Sequence, residues 1–408
     1  MSAPWLGELT NGWQEIALRY LARIETGSRD TVDAVPGGEY PFIIRSQTPL
    51  EIDTYSYDTE AVLTAGDGAV GEIFHHINGR FEVHQRVYVM HDFHGLDGRY
   101  FYYYFSSEFG QTVAYGGAQS TVASLRRPMF TGFPVAVPPL EVQRAIANYL
   151  DRETAQIDAF IAKNEELITL LTERRAAVIA RAVTKGIDDA AELKPSGVPA
   201  LGSIPTGWAV RRVRNVGRAI IGLTYAPEDI CGEDDGGTLV LRAGNIQDSR
   251  LDFEDCVYVS KSIPDSLRLR LGDIVICARN GSARLIGKNA LATEEVVGQT
   301  WGAFMAVLRT PTNEYLRWVL NSTIFTSSLG AFATATINQL TSSTLHSLQF
   351  ALPPRDEQVA IAAYLEEATN SIDEAIRAAG RATDLARERR AALISAAVTG
   401  KIDVGVAV

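Results

Sequence analysis

Apolar residues recur at helical spacing in two long stretches of the chain. After Pro138-Pro139 they follow one another at steps of three, four and seven, as on one face of a long helix. The positions are Ile146, Leu150, Ile157, Ile161, Ile168, Leu171, Val178 and Ala182, and then Ile361, Leu365, Ile372, Ile376, Leu393 and Ala397. We therefore predict two long helices, one in the segment 137–188 and one in the segment 352–403.

The sequence before each long helix alternates apolar and polar residues, as strands with one buried face do. The alternation is clearest at 40–45, 80–90, 238–242 and 302–309, with polar turn residues between these stretches. Short helices are predicted near 100–109 and 312–329. These parts of the chain are therefore predicted to be sheet-rich and of the α+β class.

The two halves of the chain are copies of each other. Residues 138–188 align without a gap on 353–403, at a constant separation of 353 − 138 = 215, and 24 of the 51 aligned positions are identical. Gly12-Trp13 matches Gly207-Trp208 at a separation of 207 − 12 = 195, so the second copy carries 215 − 195 = 20 extra residues. Each copy consists of a variable part followed by a constant part.

We predict an α+β fold with two tandem sheet-rich modules, separated by two long antiparallel helices that form a coiled-coil spacer. The antiparallel pairing is expected because neither helix has a domain of its own to cover its apolar face. The predicted segments are the modules 1–136 and 208–351, the helices 137–188 and 352–403, a linker 189–207 and a tail 404–408.

Composition narrows the class of protein. A hydrophobic fraction of 46% and a charged fraction of 21% are those of a soluble globular chain, and no window approaches a membrane span. The start has no signal-peptide pattern, so we expect a cytoplasmic protein. Three widely spaced cysteines predict neither disulfides nor a zinc site. The net charge of −11 predicts that any DNA binding is assisted by a more basic partner.

Two motifs have structural interpretations that we favour over functional ones. Gly66-Asp67-Gly68-Ala69-Val70-Gly71 fits a dinucleotide-binding pattern, but the residues that follow predict a strand instead of the required helix, so we predict a glycine hairpin. The aromatic run from Tyr100 to Phe105 is compatible with base stacking, but core packing is the preferred interpretation. We predict no catalytic residue and no metal ligand in this chain.

The constant parts resemble the specificity subunit of type I restriction–modification enzymes. The matching segments are Val137-Pro138-Pro139, Tyr149-Leu150, Glu173-Arg174-Arg175 and Val183-Thr184. Their repeats in the second copy begin at Leu352-Pro353-Pro354. The first copy departs from the pattern at Val142, where the second has Glu357. The resemblance covers essentially the whole chain, although the variable parts match only in outline.

The resemblance implies that each variable part is a target-recognition domain that reads one half of a split, asymmetric DNA sequence. It implies that the helices set the gap and seat two adenine methyltransferase subunits, which a restriction subunit joins. S-adenosylmethionine, ATP and Mg²⁺ would then act in those partner subunits, and none in this chain. Two alternatives stay open: a methyltransferase or nuclease that needs no partner, and a helical scaffold that does not bind DNA.

The candidate DNA-binding residues lie in loops that both copies share. Arg side chains match guanine edges, and Asn or Gln side chains match adenine edges. The candidates are Ser28, Arg29, Arg45, Asp67, Thr224, Tyr225, Arg242, Arg279, Asn280, Ser282, Arg284, Asn338 and Gln339.

Overall fold

The computed structural model describes residues 9–68, 70–115, 125–332 and 339–404. The chain folds into two compact units. The first unit comprises Met1–Glu165 and Gly380–Val408, and the second comprises Glu166–Ala379. Each unit thus contains one variable part together with a portion of each long helix. The predicted α+β class is confirmed.

The first unit contains a meander of strands followed by helices. Its elements are β1 (Gln14–Ala17), β2 (Arg23–Thr26), β3 (Tyr40–Ile43), β4 (Leu50–Ile52), β5 (Tyr57–Ala65), β6 (Phe74–Val83), β7 (Val87–His91), α1 (Gly98–Tyr115), α2 (Arg127–Thr131) and β8 (Pro134–Val137). The long helix α3 (Leu140–Lys185) starts directly after Pro138-Pro139 and runs on into the second unit.

The second unit repeats this order with additional short strands. Its elements are β9 (Leu193–Pro195), β10 (Ser203–Pro205), β11 (Ala209–Arg212), β12 (Arg218–Ile221), β13 (Ile230–Cys231), β14 (Thr238–Leu241), β15 (Ile246–Gln247), β16 (Arg250–Leu251), β17 (Tyr258–Val259), β18 (Ile274–Cys277), β19 (Asn289–Leu291), β20 (Thr300–Trp301), β21 (Met305–Arg309), α4 (Asn313–Leu320), α5 (Thr323–Phe332), α6 (Ser342–Ser347) and β22 (Gln349–Leu352). The long helix α7 (Arg355–Val398) follows and passes Gly380 without a break.

The sheets of the two units have matching strand orders. In the first unit β2, β7, β5 and β6 are antiparallel neighbours, and in the second unit β12, β21, β18 and β19 are. β3 pairs in parallel with the end of β6, as β14 does with β20. The pairs β1–β8 and β11–β22 are also equivalent. The duplication seen in the sequence therefore extends to the strand topology of the variable parts.

A buried tyrosine in each unit connects the sheet to the helices. The Tyr100 hydroxyl donates to a carbonyl oxygen of β8 at 2.7 Å and to that of Val398 at 3.2 Å. The Tyr315 hydroxyl donates to a carbonyl oxygen of β22 at 2.8 Å and to that of Val183 at 3.1 Å. Burial raises the pKa of both phenols well above the ordinary value. Because Val398 ends the second copy's helix and Val183 lies near the end of the first, each variable part holds the end of the other copy's helix.

Two ion pairs join the long helices at equivalent positions. Within the second unit the Arg175 guanidinium donates to both carboxylate oxygens of Asp373, at 2.8 and 3.3 Å. Within the first unit Arg390 makes the same pair of contacts with Asp158, at 2.8 and 3.2 Å. The sums 175 + 373 and 158 + 390 are equal, so the two helices are antiparallel in both units. The repeated Glu-Arg-Arg segment is thereby explained in part by contacts between helices.

The repeated glutamine has a structural role at the start of each helix. The side-chain amide of Gln143 donates to the carbonyl oxygen of Pro138 at 2.8 Å, and Gln358 does the same to Pro353 at 2.8 Å. Both side chains are buried. A buried carbonyl next to a proline needs such a donor because an unpaired one is costly.

Val142 stands in the first copy where the second copy has Glu357, and this difference has a physical reason. Trp208 is buried, and its indole N–H donates to a carboxylate oxygen of Glu357 at 2.9 Å. At the equivalent place in the first copy, Val142 and Trp13 are both partly buried against the apolar core. The second copy thus satisfies a buried indole N–H, which the first copy's less buried tryptophan does not require.

Two further predictions can be compared with the fold. The aromatic run is part of α1, and Tyr100, Phe101, Tyr103, Tyr104 and Phe105 are almost completely buried, which confirms core packing. The predicted linker contains the antiparallel pair β9–β10, because its two extended stretches hydrogen-bond to each other. No helix among the described residues is long and apolar enough to cross a membrane.

Candidate nucleic-acid interface

Three loops meet at one end of the main sheet in each unit. In the first unit they follow β3, connect β5 to β6, and connect β6 to β7. The backbone N–H of Gly66 in the β5–β6 hairpin donates to the carbonyl oxygen of Arg86 at 2.8 Å. In the second unit the N–H of Ala278 donates to the carbonyl oxygen of Phe304 at 3.0 Å. This match makes Asp67 equivalent to Arg279. We call the three loops of the first unit, together with the loop after β2, the first loop cluster. The second loop cluster consists of the equivalent loops of the second unit, together with the loop after β12.

A glycine fixes the first loop of each cluster. The N–H of Gly27 donates to the carbonyl oxygen of Val87 at 3.3 Å, and that of Gly222 donates to Met305 at 3.2 Å. A Cβ atom on Gly27 would lie 2.0 Å from a backbone oxygen, and one on Gly222 would lie 2.2 Å from another. Only glycine fits such close backbone contacts. The loop after β2 and the loop after β12 therefore begin in the same way.

Asp67 holds two arginines in the first loop cluster. Its carboxylate oxygens lie 2.7 Å from Nη1 of Arg45 and 2.7 Å from Nη1 of Arg86. Burial acts to raise the pKa of Asp67, but the hydrogen bonds from both guanidinium groups outweigh burial and leave the pKa below its ordinary value. The carboxylate is therefore ionised at neutral pH, and it fixes the two arginines side by side.

Arg29 is fixed by a buried acid. Its Nε lies 3.6 Å from a carboxylate oxygen of Glu82, whose side chain is fully buried. The Ser56 hydroxyl donates to the same carboxylate oxygen at 2.7 Å. The neighbouring Ser28 is exposed. Glu82 thus holds the Nε atom of Arg29, while the side chain of Arg29 stays partly exposed.

Arg242 directly follows β14 in the second loop cluster, whereas Arg45 lies two residues after the end of β3 in the first. Its Nη2 lies 2.8 Å from a carboxylate oxygen of Asp255. Its Nε is buried and has no hydrogen-bond partner among the described residues. The second cluster therefore keeps an acid–arginine pair, but the acid comes from a different loop.

In the second loop cluster, Arg279 of the β18–β19 hairpin lies over the ring of Phe304, which is in the turn before β21. The guanidinium carbon of Arg279 lies 5.3 Å from the centre of the Phe304 ring. Both side chains are exposed. Where the first unit has the Asp67–Arg86 ion pair, the second has a cation over an aromatic ring. The two clusters share a backbone frame but present different chemistry.

The cleft of the second cluster brings together five of the predicted residues. It has a volume of about 530 Å³. The predicted residues that line it are Thr224, Tyr225, Arg242, Arg279 and Asn280. In the first cluster a cleft of about 270 Å³ is lined by Asp67 and Arg86 among others. Arg242 directly follows β14, and Arg279 and Asn280 lie in the β18–β19 hairpin loop.

The other candidates of the second unit are Ser282, Arg284, Asn338 and Gln339. Ser282 and Arg284 are exposed in the β18–β19 hairpin loop. Gln339 is exposed and forms a backbone bridge with Arg279. Asn338 lies outside the described residues.

Sequence reasoning missed Arg86, Phe304, Glu82 and Asp255. Neither Arg86 nor Phe304 stands out in the sequence, because the separation between equivalent loop residues changes from 279 − 67 = 212 to 304 − 86 = 218. The strand pairings were needed to align them. Among the described residues, no group of three or more His, Cys, Asp or Glu side chains is arranged to hold a metal ion.

Comparisons with known proteins agree with the resemblance noted in the sequence. Residues 10–169 match the family described as the type I restriction modification DNA specificity domain. The specificity subunit of the type I restriction enzyme EcoDI from Escherichia coli is 30% identical over 173 residues, which is 42% of this chain and 38% of that protein. The chain is therefore similar to type I specificity subunits. The EcoKI specificity subunit from Escherichia coli (strain K12) is 29% identical over 211 residues, or 49% of this chain and 44% of that protein.

Solved structures share the fold of this chain. The HsdS subunit from Thermoanaerobacter tengcongensis has a TM-score of 0.52 at 16% identity, covering 97% of this chain and 98% of that one. A chain from a structural study of complex assembly and conformational transition of the type I R-M system has a TM-score of 0.67 at 16% identity. The match covers 97% of this chain and all of that one. By contrast, the chain spans less than half the length of the two curated relatives.

Proposed function

We propose that this chain is the non-catalytic DNA-recognition subunit of a type I restriction–modification complex. Each unit reads one half of a bipartite, asymmetric DNA sequence through its loop cluster. The observation that carries this proposal is that the two clusters have equivalent backbone positions but different side chains, Asp67 and Arg86 in one and Arg279 and Phe304 in the other. Two similar frames with different donors suit two different half-sites.

The long helices are proposed to set the gap between the half-sites. α3 has 46 residues and α7 has 44. At about 1.5 Å per residue each is roughly 65–70 Å long. One turn of B-DNA measures about 34 Å, so a spacer of this length corresponds to about two turns of the duplex. The helix pair and its repeated surface segments are also proposed to seat two adenine methyltransferase subunits and a restriction subunit.

The chemistry is proposed to reside in those partners. S-adenosylmethionine would be bound by the methyltransferase subunits, which flip the target adenine out of the duplex. ATP and Mg²⁺ would be bound by the restriction subunit. The acidic net charge of −11 fits this division, because phosphate contacts from more basic partners would supply much of the affinity.

The proposal is tested by mapping adenine methylation genome-wide in a host with and without the gene for this chain, with its modification subunits present. The expected result is one methylated motif of two specified blocks around an unspecified gap, which disappears when the chain is removed. Purified chain is tested in parallel with labelled S-adenosylmethionine and DNA. Methyl transfer by the chain alone would refute the proposal, as would a motif that survives its removal.

A further inference from the structure

The turn before the last strand of the main sheet carries equivalent residues in the two units. Arg86 directly precedes β7, and Phe304 directly precedes β21. Each carbonyl oxygen accepts from a backbone N–H of the neighbouring hairpin, Gly66 in one unit and Ala278 in the other. The backbone of this turn is therefore anchored in the same way in both copies, while the side chains differ.

Backbone hydrogen bonds close each of the two turns. The N–H of Val87 donates to the carbonyl oxygen of His84 at 2.9 Å, and that of Met305 donates to Gly302 at 2.8 Å. The side chain of Arg86 is 60% exposed and Phe304 is 61% exposed. An exposed phenylalanine at a turn gains little from folding, because most of its apolar surface stays in water. Its presence is better explained by a ligand with an apolar feature.

We propose that Arg86 and Phe304 are specificity-determining residues, which contact base edges in the first and second half-site respectively. This inference rests on the proposed function. Arg86 contacts guanine, because its guanidinium is held by Asp67 through one nitrogen and keeps donors for a bidentate contact. Phe304 contacts the methyl group of thymine, the apolar feature that the major groove offers.

The neighbours of each residue fit these assignments. Asp67 also holds Arg45, so the first cluster offers two fixed guanidinium groups on one carboxylate. Arg279 lies over one face of the Phe304 ring, so its charge stays beside the apolar contact and can meet the DNA backbone or a neighbouring base. The first half-site is therefore expected to contain guanine, and the second to contain thymine, at the position facing this turn.

The test uses the full chain with its modification subunits and a library of random duplex DNA, from which bound sequences are selected and read. The variants are Arg86→Ala and Phe304→Ala. The matched controls are Arg23→Ala and Leu271→Ala. Arg23 is 63% exposed and pairs with the far end of β7, and Leu271 is 60% exposed beyond the far end of β18. The controls thus match charge or exposure but lie away from the loop clusters.

We expect Phe304→Ala to lose the preference for thymine at one position of the second half-site, by on the order of tenfold to a hundredfold, and to leave the first half-site unchanged. Arg86→Ala should lose a guanine in the first half-site by a similar factor. Phe304→Leu keeps an apolar side chain and should keep most of the thymine preference. Both control variants should select the wild-type motif.

The outcomes separate this inference from the proposed function. If the wild-type complex selects no sequence, the proposed function fails. If it selects a split motif that Phe304→Ala and Arg86→Ala leave intact, the inference is overturned while the proposed function stands. If Phe304→Ala gives no folded complex, Phe304→Gln, which replaces the apolar side chain by a polar one, takes its place: loss of the thymine preference supports the apolar contact, and an unchanged preference overturns it.

Discussion

The two ion pairs between the long helices allow a quantitative test of the helix register. Arg175 pairs with Asp373 and Arg390 pairs with Asp158, at equivalent positions of the repeat. A double-mutant cycle replaces each partner of a pair by alanine, first singly and then together. The coupling free energy then measures the interaction itself, apart from the other effects of each substitution.

The expected magnitudes follow from geometry and exposure. Both pairs are bidentate, which favours the stronger end of the range for charged hydrogen bonds. The side chains of Arg175 and Asp373 are 23% and 27% exposed, whereas those of Arg390 and Asp158 are 35% and 51% exposed. Exposed pairs contribute about 0.2–1 kcal/mol. We therefore expect a coupling of about 1 kcal/mol for the first pair and about 0.5 kcal/mol for the second.

The assay is urea unfolding followed by circular dichroism, with each transition fitted separately because two units need not unfold together. Raising the salt concentration from 0.15 to about 1 M should reduce the coupling of the more exposed pair by the larger fraction. A coupling below about 0.2 kcal/mol for Arg175 and Asp373 would refute the register. A larger coupling for Arg390 and Asp158 would refute the reasoning from exposure.

Three further predictions concern single positions. Gly222→Ala places a Cβ 2.2 Å from a backbone oxygen and should lower the free energy of unfolding by about 3 kcal/mol, measured by thermal unfolding. In the control Gly244→Ala the Cβ meets nothing within 4 Å, and the free energy of unfolding should hardly change. Equal effects of the two substitutions would contradict this prediction. Tyr315→Phe removes the donor to Val183 and should destabilise the second unit by about 1–3 kcal/mol in urea, and no change would count against the tyrosine link. The pKa of Asp67 is lowered, so its stabilisation is complete above the unfolded value near 3.8 and is lost as the pH falls through the lower folded value. The stability difference between wild type and Asp67→Asn should therefore be constant from pH 8 to about 5 and vanish in stronger acid; a difference that grows in acid would disprove the sign.

The parts of the fold that depend on local pattern were predictable. The heptad-like spacing and the absence of Pro and Gly in most of the two segments gave both long helices, because helix formation depends on neighbours within a few turns. The hairpin at Gly66 followed from its position between two strand patterns. The matching offsets of 195 and 215 gave the duplication.

The contacts between distant segments were not predictable. Tyr100 and Val398 are close because the end of the second copy's helix packs into the core of the first copy's variable part. No local sequence pattern encodes this contact. Arg86 and Phe304 could be matched only after the strand registers were known, since the separation between equivalent residues changes from 212 in one loop to 218 in the other. The choice of partner for an arginine, Asp67 or Asp255, likewise depends on loop conformation.

The most direct test of two independent readers is to replace residues 208–351 by the corresponding part of another specificity subunit and to map the methylated sequence. The account predicts that one half of the motif changes, while the other half stays the same because the first loop cluster is untouched. A change in both halves, or in neither, would contradict it.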